Sequence, residues 1–212
     1  MATLFSYCIR HDAGAAPNPF WGVCTLVICK PRIRLAAEVG DWIVGTGSSR
    51  SPAGDMSGRV VCAMQVTGKM SMEEYWRFTR RSLRKKIPCW SDGDWRRRLG
   101  DSIYDFSSEP PTLRRGVHTE KSRARDLGGR YALLSKHFWY FGDKARALPA
   151  GLRGIVKQGP GHRSDSNAPY LDKFVRWLEG LGLRPNELYG RPQLRLCEEG
   201  NGPGCVRRSS CG

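Results

Sequence analysis

The stretch from residue 41 to residue 67 constrains the fold more than any other part of the sequence. A short apolar segment, residues 42–46, is followed by a loop of glycine, serine and proline and then by residues 59–67. In the second segment every other residue is apolar and lies on one face of an extended chain: Val60, Cys62, Met64 and Val66. Such alternation is typical of a strand with one buried face. The two segments therefore predict neighbouring strands of one sheet.

Strands and helices alternate along the rest of the chain. Residues 4–10 alternate as a strand, and the aromatic residues 130–141 predict a long strand or hairpin arm. Pro31 is well placed to begin a short helix through about residue 39. Ser71 and Glu74 form a capping box at the start of a second helix. This order predicts an α+β fold, with a small curved mixed β-sheet or a partly open β-barrel and flanking helices.

The chain is long enough for one domain of ordinary size. We expect this domain over residues 1–194, with a last helix that begins at Pro169 and an irregular, polar stretch over residues 101–128. Residues 195–212 are mostly Gly, Ser, Arg and Cys, so a disordered basic tail is predicted there.

The charge of the chain points to an anionic partner. Lys and Arg number 35 against 20 Asp and Glu, so the formal net charge is +15. An excess of this size favours nucleic acid first and an anionic membrane surface second, although an arginine preference of the genome would also produce it. No apolar run approaches the roughly 20 residues of a spanning helix, and no charged leader follows Met1. A cytoplasmic location without membrane contact is expected.

The eight cysteines do not form a CxxC pair. Without a secretory signal, reduced thiols are expected. Four of them lie in apolar segments and are interpreted as small buried hydrophobic residues: Cys8, Cys24, Cys29 and Cys62. No metal site and no cofactor are predicted.

Residues 18–34, NPFWGVCTLVICKPRIR, combine aromatic side chains with cations. Phe20 and Trp21 follow a turn at Asn18, and cations surround the predicted helix start at Lys30, Arg32 and Arg34. Flat π-faces can stack on a base, and cations and a helix start attract phosphate. The alternative is that the aromatics are core anchors and the cations a solvated face. The basic helix over residues 71–86 likewise has two interpretations: its cations contact phosphate, or they form a solvated face.

An enzyme would need polar groups that converge. The sequence offers a set of six: His11, Asp12, His118, Asp126, His137 and His162. His137 lies within an aromatic strand and is interpreted as structural. The catalytic candidates are His11, Asp12 and His162, because loops in glycine-rich segments often carry function.

Residues 7–48, YCIRHDAGAAPNPFWGVCTLVICKPRIRLAAEVGDWIVGTGS, resemble the second type of the nucleotide modification associated domain family. The segments GDSIYDF, RDLGGRYALLSKHFWYFGD and GPGHR resemble it as well. The resemblance covers roughly residues 3–180. It implies a bacterial or phage setting in which modified bases are made or handled.

A looser resemblance connects the chain with PUA-like folds, including the EVE, YTH and ASCH domains. Several of these hold a flipped modified base in an aromatic cage. By this resemblance Phe20, Trp21 and Trp42 are the base-binding candidates. The phosphate-binding candidates are Lys30, Arg32, Arg34 and, in the GPGHR segment, Arg163.

The sequence thus favours a nucleic-acid or nucleotide binding protein that recognises a modified base in an aromatic and cationic pocket. The alternative is an enzyme, a hydrolase, nuclease or transferase, that acts on modified nucleotides or DNA. The expected partner is nucleic acid, DNA rather than RNA, or a nucleotide.

Overall fold

The computed structural model of the protein describes residues 2–194. Within them lie the helices α1 (Pro31–Ala36), α2 (Met72–Ser82), α3 (Arg123–Gly128) and α4 (Leu171–Glu179). The strands are β1 (Leu4–Ile9), β2 (Cys24–Leu26), β3 (Trp42–Gly47), β4 (Arg59–Gln65), β5 (Gly68–Ser71), β6 (Tyr104–Asp105), β7 (Thr112–Leu113), β8 (Tyr131–Ser135), β9 (Phe138–Tyr140), β10 (Arg146–Ala147), β11 (His162–Arg163) and β12 (Glu187–Leu188). Short 3-10 helices connect several of these elements.

A mixed sheet forms the centre of the fold. Its strands run in the order β11-β1-β3-β4-β9-β12, and β10 pairs with the start of β4. The pairs β1–β3 and β9–β12 are parallel, whereas the other pairs are antiparallel. The predicted strand pair is confirmed as β3 and β4. The sheet is not closed into a barrel, so the predicted α+β fold with a partly open sheet is confirmed.

Each face of the central sheet carries its own core. Phe5, Tyr7 and Ile9 of β1 pack on one face, against residues of a second sheet with the strand order β2-β8-β5. Leu4 and Val44 contribute to the other face, which α4 covers. The second sheet matters for the site because β2 leads directly into the turn that precedes α1.

Helices α1 and α2 begin where the sequence indicates but end earlier, whereas α4 begins at Leu171, after a 3-10 helix that contains the predicted start at Pro169. The capping box of Ser71 and Glu74 is present at the start of α2. Helix α1 ends at Ala36 instead of residue 39, because Ala37 adopts an extended conformation. Helix α2 ends at Ser82, and a 3-10 turn follows in which Lys86 is fully buried.

Lys86 ties the loop before β2 to the body of the protein. Its Nζ donates to the carbonyl oxygen of Asn18 at 2.8 Å, to that of Val23 at 2.8 Å and to Thr25 Oγ1 at 2.9 Å. Burial lowers the pKa of Lys86 to about 8, and the nearby Asp101 partly offsets this effect. A buried ammonium with this many acceptors fixes the loop in place.

Three expectations were wrong or lie outside the structure. The aromatic stretch 130–141 does not form one arm, because it divides into β8 and β9, which belong to different sheets. Not every thiol is reduced, since Cys89 is disulfide-bonded, whereas Cys8, Cys24, Cys29 and Cys62 are free. The predicted tail over residues 195–212 lies outside the described residues.

Candidate active site

A sharp turn between β2 and α1 presents Cys29. Cys29 and Lys30 both have left-handed backbone conformations, with φ of 59° and 43°, although neither is glycine. Pro31 then begins the helix, since its ring presets the helical φ. Consecutive left-handed residues that carry side chains are uncommon and cluster at functional sites. Strained strand-to-helix turns of this kind present the nucleophile in several hydrolases.

His118 and Asp126 complete a linear array with Cys29. His118 Nε2 lies 3.4 Å from Cys29 Sγ, and His118 Nδ1 lies 2.5 Å from Asp126 Oδ2. Asp126 is fully buried, and its Oδ1 accepts a hydrogen bond of 2.9 Å from the backbone N–H of Cys29. Tyr104 donates its hydroxyl to Asp126 Oδ2 at 3.1 Å. A thiol beside an imidazole that a carboxylate orients is the arrangement of a nucleophile, a base and an orienting group.

The electrostatics of the array favour the charged forms of the histidine and the carboxylate. Burial lowers the pKa of His118. Hydrogen bonds with Asp126 and Cys29 and the charge on Asp126 act in the opposite direction and together outweigh burial, so the pKa is raised to about 9. Burial raises the pKa of Asp126, but the hydrogen bonds from His118 and the Cys29 N–H outweigh this and lower it overall. At neutral pH the imidazole is therefore protonated, and the array holds a cation beside the Cys29 sulfur.

Arg34 holds the two ends of this array together. Its side chain is fully buried, and its guanidinium donates to the carbonyl oxygens of Cys29 and Tyr131, each at 2.8 Å, and to that of Asp126. Gly129 lies directly against the guanidinium, where a Cβ atom would collide with it. Arg34 is thus a positioning residue that fixes the Cys29 turn relative to α3.

A cationic cavity opens beside Cys29. Its volume is about 590 Å³, and its lining includes Cys29, Lys30, Arg32, Arg125 and His162. Burial lowers the pKa of Lys30, and the charge of Arg125 adds to that effect. Burial, and after it the charge of Arg32, lowers the pKa of His162. The cavity thus combines a thiol with a field that favours an anionic ligand.

The ligand atoms of Cys29, His118 and Asp126 lie within 4.8 Å of one another, a spacing that a metal ion could also use. However, Asp126 already accepts hydrogen bonds from His118, Tyr104 and the Cys29 N–H. The carboxylate therefore orients the imidazole, and the atoms left to face an ion are Cys29 Sγ and His118 Nε2. Catalytic zinc usually has three protein ligands, so the geometry fits a proton relay better than a metal centre.

The phosphate-binding candidates divide between the cavity and its surroundings. Lys30 and Arg32 line the cavity, together with the catalytic candidate His162. Arg163 follows on β11, where its Nε donates to Ser166 Oγ at 3.0 Å. Arg34 does not line the cavity, because its guanidinium is buried against protein carbonyl groups.

The base-binding candidates do not share one cavity wall. Phe20 is 1% exposed and packs with Trp21 and Trp95 in a separate cluster. Trp42 is 4% exposed and packs against Trp139 in the core beneath α4. Trp21 is half-buried, with the cations of Lys85 and Arg96 over its ring at 4.8 and 4.5 Å. Only Trp21 retains a partly accessible ring, and its role in base binding stays a prediction.

The other two catalytic candidates, His11 and Asp12, do not line the cavity that His162 lines. His11 is exposed, whereas Asp12 is buried and accepts hydrogen bonds from the Tyr140 hydroxyl at 2.7 and 2.8 Å. Burial raises the pKa of Asp12 to about 6. Within residues 2–194, no hydrogen bond joins any two of these three side chains.

Cys29 is the residue that sequence reasoning missed. It follows an apolar run and so resembles a core cysteine, whereas His118 and Asp126 were part of the polar set. The one local signal was its place before Lys30-Pro31, at the junction of a strand and a helix.

Comparison with known proteins identifies the family. A family model described as nucleotide modification associated domain 2 matches residues 1–199. The chain belongs to this family. Neither the curated proteins nor the solved structures contain a match. Membership associates the chain with nucleotide modification, and thus with nucleic acid. Among residues 2–194, no helix is long and apolar enough to cross a membrane.

Proposed function

We propose that this member of the nucleotide modification associated domain 2 family is a cysteine-dependent enzyme that acts on a modified nucleotide, free or within DNA. The observation that carries the proposal is the Cys29–His118–Asp126 array at the edge of a cationic cavity. Nucleophile, base and orienting carboxylate lie within contact distance of one another in the order that covalent catalysis requires. An enzyme was the alternative that the sequence offered, and the geometry of the array supports it over recognition of a modified base alone.

The chemistry follows from the three side chains. In the reactive state His118 already holds the proton of the Cys29 thiol as an imidazolium, and the sulfur attacks an electrophilic carbon, such as that of an amide or ester on the modification. The bond from this carbon to its nitrogen or oxygen leaving group breaks, and the leaving group takes the proton from His118. Water or another acceptor then displaces the sulfur, with His118 as the base, which regenerates the thiol. Asp126 holds the imidazole in the required orientation throughout.

Selective alkylation of Cys29 tests the nucleophile. Iodoacetamide at pH 7, with peptide mass spectrometry, compares Cys29 with Cys8, which is also half-buried and free but has no histidine partner among the described contacts. We expect Cys29 to react on the order of tenfold faster than Cys8, because a neighbouring imidazolium favours the thiolate. The substitution His118→Gln should remove the difference. Equal rates for the two cysteines, or an unchanged rate in His118→Gln, would contradict the proposal.

Turnover is tested with a panel of DNA and nucleotides that carry amide- or ester-linked base modifications. We expect product from the wild type and none from Cys29→Ala. The metal content of both proteins serves as a control, since stoichiometric zinc in the wild type that is lost in Cys29→Ala would assign the three residues to a metal site.

Recognition of a modified base without chemistry is the second candidate. The cationic cavity supports it, and so does the family association. It ranks second because Phe20, Trp21 and Trp42 do not surround one space. Tight binding of modified DNA by both the wild type and Cys29→Ala, with no product from either, would favour this function.

A further inference from the structure

A second cavity adjoins the one at Cys29. Its volume is about 410 Å³, and its lining includes Arg10, Ser48, Ser49 and Arg50. Lys30 and Pro160 line both cavities, so the two spaces adjoin. The two adjoining cavities, with the nucleophile in one and arginines in the other, are together called the groove.

The groove carries an unbalanced positive charge. Five cations line the two cavities, and no carboxylate does: Arg10, Lys30, Arg32, Arg50 and Arg125. Arg125 lies 3.8 Å from Asp126, a carboxylate that His118 already engages. The other four cations form no ion pair with any described residue. Clustered like charges repel one another, so such a groove favours a ligand with several negative charges.

The second cavity is suited to a phosphate group in particular. Ser48 Oγ accepts a hydrogen bond from the backbone N–H of Arg50 at 3.1 Å, which leaves its hydroxyl hydrogen to donate. Ser49 adds another hydroxyl at an exposed position. Arginine and serine side chains are the usual protein contacts of nucleic-acid phosphates.

The position of the second cavity argues for a strand. A single nucleotide with its reacting group at Cys29 would find cations for its own phosphate in the first cavity, from Lys30, Arg32 and Arg125. Arg10 and Arg50 line the second cavity and not the first, which suits a further phosphate. We propose that the groove binds a nucleic-acid strand, with the modified nucleotide at Cys29 and a neighbouring phosphate between Arg10 and Arg50. This inference rests on the proposed function for the position of the reacting group.

A binding experiment with Cys29→Ala protein tests the strand without any chemistry. The probe is a fluorescein-labelled single-stranded DNA of ten nucleotides, and anisotropy is measured over a series of NaCl concentrations. The double substitution Arg10→Gln/Arg50→Gln should weaken binding roughly tenfold near physiological salt and reduce the slope of log K against log salt by about 1.4, since each lost phosphate contact contributes about 0.7.

The matched control is Arg153→Gln/Arg176→Gln, which removes the same charge from exposed arginines outside the groove. It should bind the strand nearly as the parent protein does. Competition with a nucleoside monophosphate should be the same in the parent and in Arg10→Gln/Arg50→Gln.

Three results would overturn the inference. These are failure of the parent protein to bind the strand, binding by the groove variant equal to that of the control, and a loss of affinity for a nucleoside triphosphate in the groove variant as large as its loss for the strand. The last result would assign the second cavity to a triphosphate. A strand effect with no selective alkylation of Cys29 would refute the proposed enzyme and leave the strand groove standing, whereas the reverse outcome would refute only the groove.

Discussion

The substitution Asp126→Asn separates the charge of the carboxylate from its shape. Asn keeps the size of Asp and an oxygen that can accept from the Cys29 N–H, but it removes the negative charge beside His118. Without this charge, burial still lowers the pKa of His118, and only the contact with Cys29 still raises it. We therefore expect His118 to titrate near 9 in the wild type and at a clearly lower pH in Asp126→Asn.

The raised pKa of His118 makes the stability of the wild-type protein depend on pH. In the wild type the folded-state pKa of His118, about 9, lies above its ordinary value of 6.5. Protonated His118 therefore stabilises the folded state fully below about pH 6.5, and this contribution is lost as the pH rises to about 9. The interval corresponds to about 3 kcal/mol of unfolding free energy. The stability difference between wild type and Asp126→Asn should shrink by about this amount between pH 6 and pH 10.

Two measurements examine this prediction. NMR titration of the histidine ring protons gives the pKa directly, and His118→Gln identifies the His118 signal among the four histidines. Urea unfolding at several pH values gives the free energies, with Glu179→Gln on the exposed face of α4 as a control that removes one carboxylate elsewhere. A His118 pKa near 6.5 in both proteins, or a stability difference that stays constant from pH 6 to pH 10, would refute the reasoning.

Two further substitutions test how the site is held in place. Gly129→Ala should displace the Arg34 guanidinium, because the added methyl group overlaps it, and should destabilise the protein by about 1–3 kcal/mol. Slower alkylation of Cys29 in the folded variant would show that Arg34 positions the turn. An unchanged alkylation rate would contradict this role. Lys86→Met keeps the side-chain volume but leaves the acceptors on Asn18, Val23 and Thr25 without their donor. Urea unfolding should show a loss of about 3–5 kcal/mol, and a loss below 1 kcal/mol would contradict the assigned role.

The elements that local patterns determine were predictable. The strand β4 and the capping box of α2 depend on residues within one strand or one helical turn, and the structure confirms both. The predicted single buried face of β4 was wrong, because both faces are buried and Val60, beside a register shift, packs on the face opposite Cys62 and Met64. The end of α1 was not predictable, because residues 37–39 continue an apolar and acidic pattern that a helix would tolerate. The division of residues 130–141 between two sheets depends on partners in distant strands, which no local pattern encodes.

The site was less predictable than the fold for a related reason. Cys29 and His118 are 89 positions apart, and α3, which carries Asp126, lies in a stretch that appeared irregular. The left-handed turn at Cys29 contains no glycine that would have indicated it. The charge pattern, by contrast, pointed to Lys30 and Arg32, and the glycine-rich loop pointed to His162; all three line the cavity.

The balance of charge around Asp126 explains why an anion belongs at Cys29. Protonated His118 bonds to Asp126, and the buried Arg34 guanidinium lies against the backbone beside it. Burial lowers the pKa of Arg34 to about 10, so it too stays protonated at neutral pH. Three cations, His118, Arg34 and the more exposed Arg125 at 3.8 Å, thus lie around one carboxylate, which leaves an excess of positive charge in a poorly solvated region. Arg34 also donates to the Cys29 carbonyl oxygen, and His118 contacts the Cys29 sulfur, so the excess positive charge lies beside this residue. It favours an anionic substrate there, so in the proposed reaction the nucleophile and phosphate recognition depend on the same imbalance.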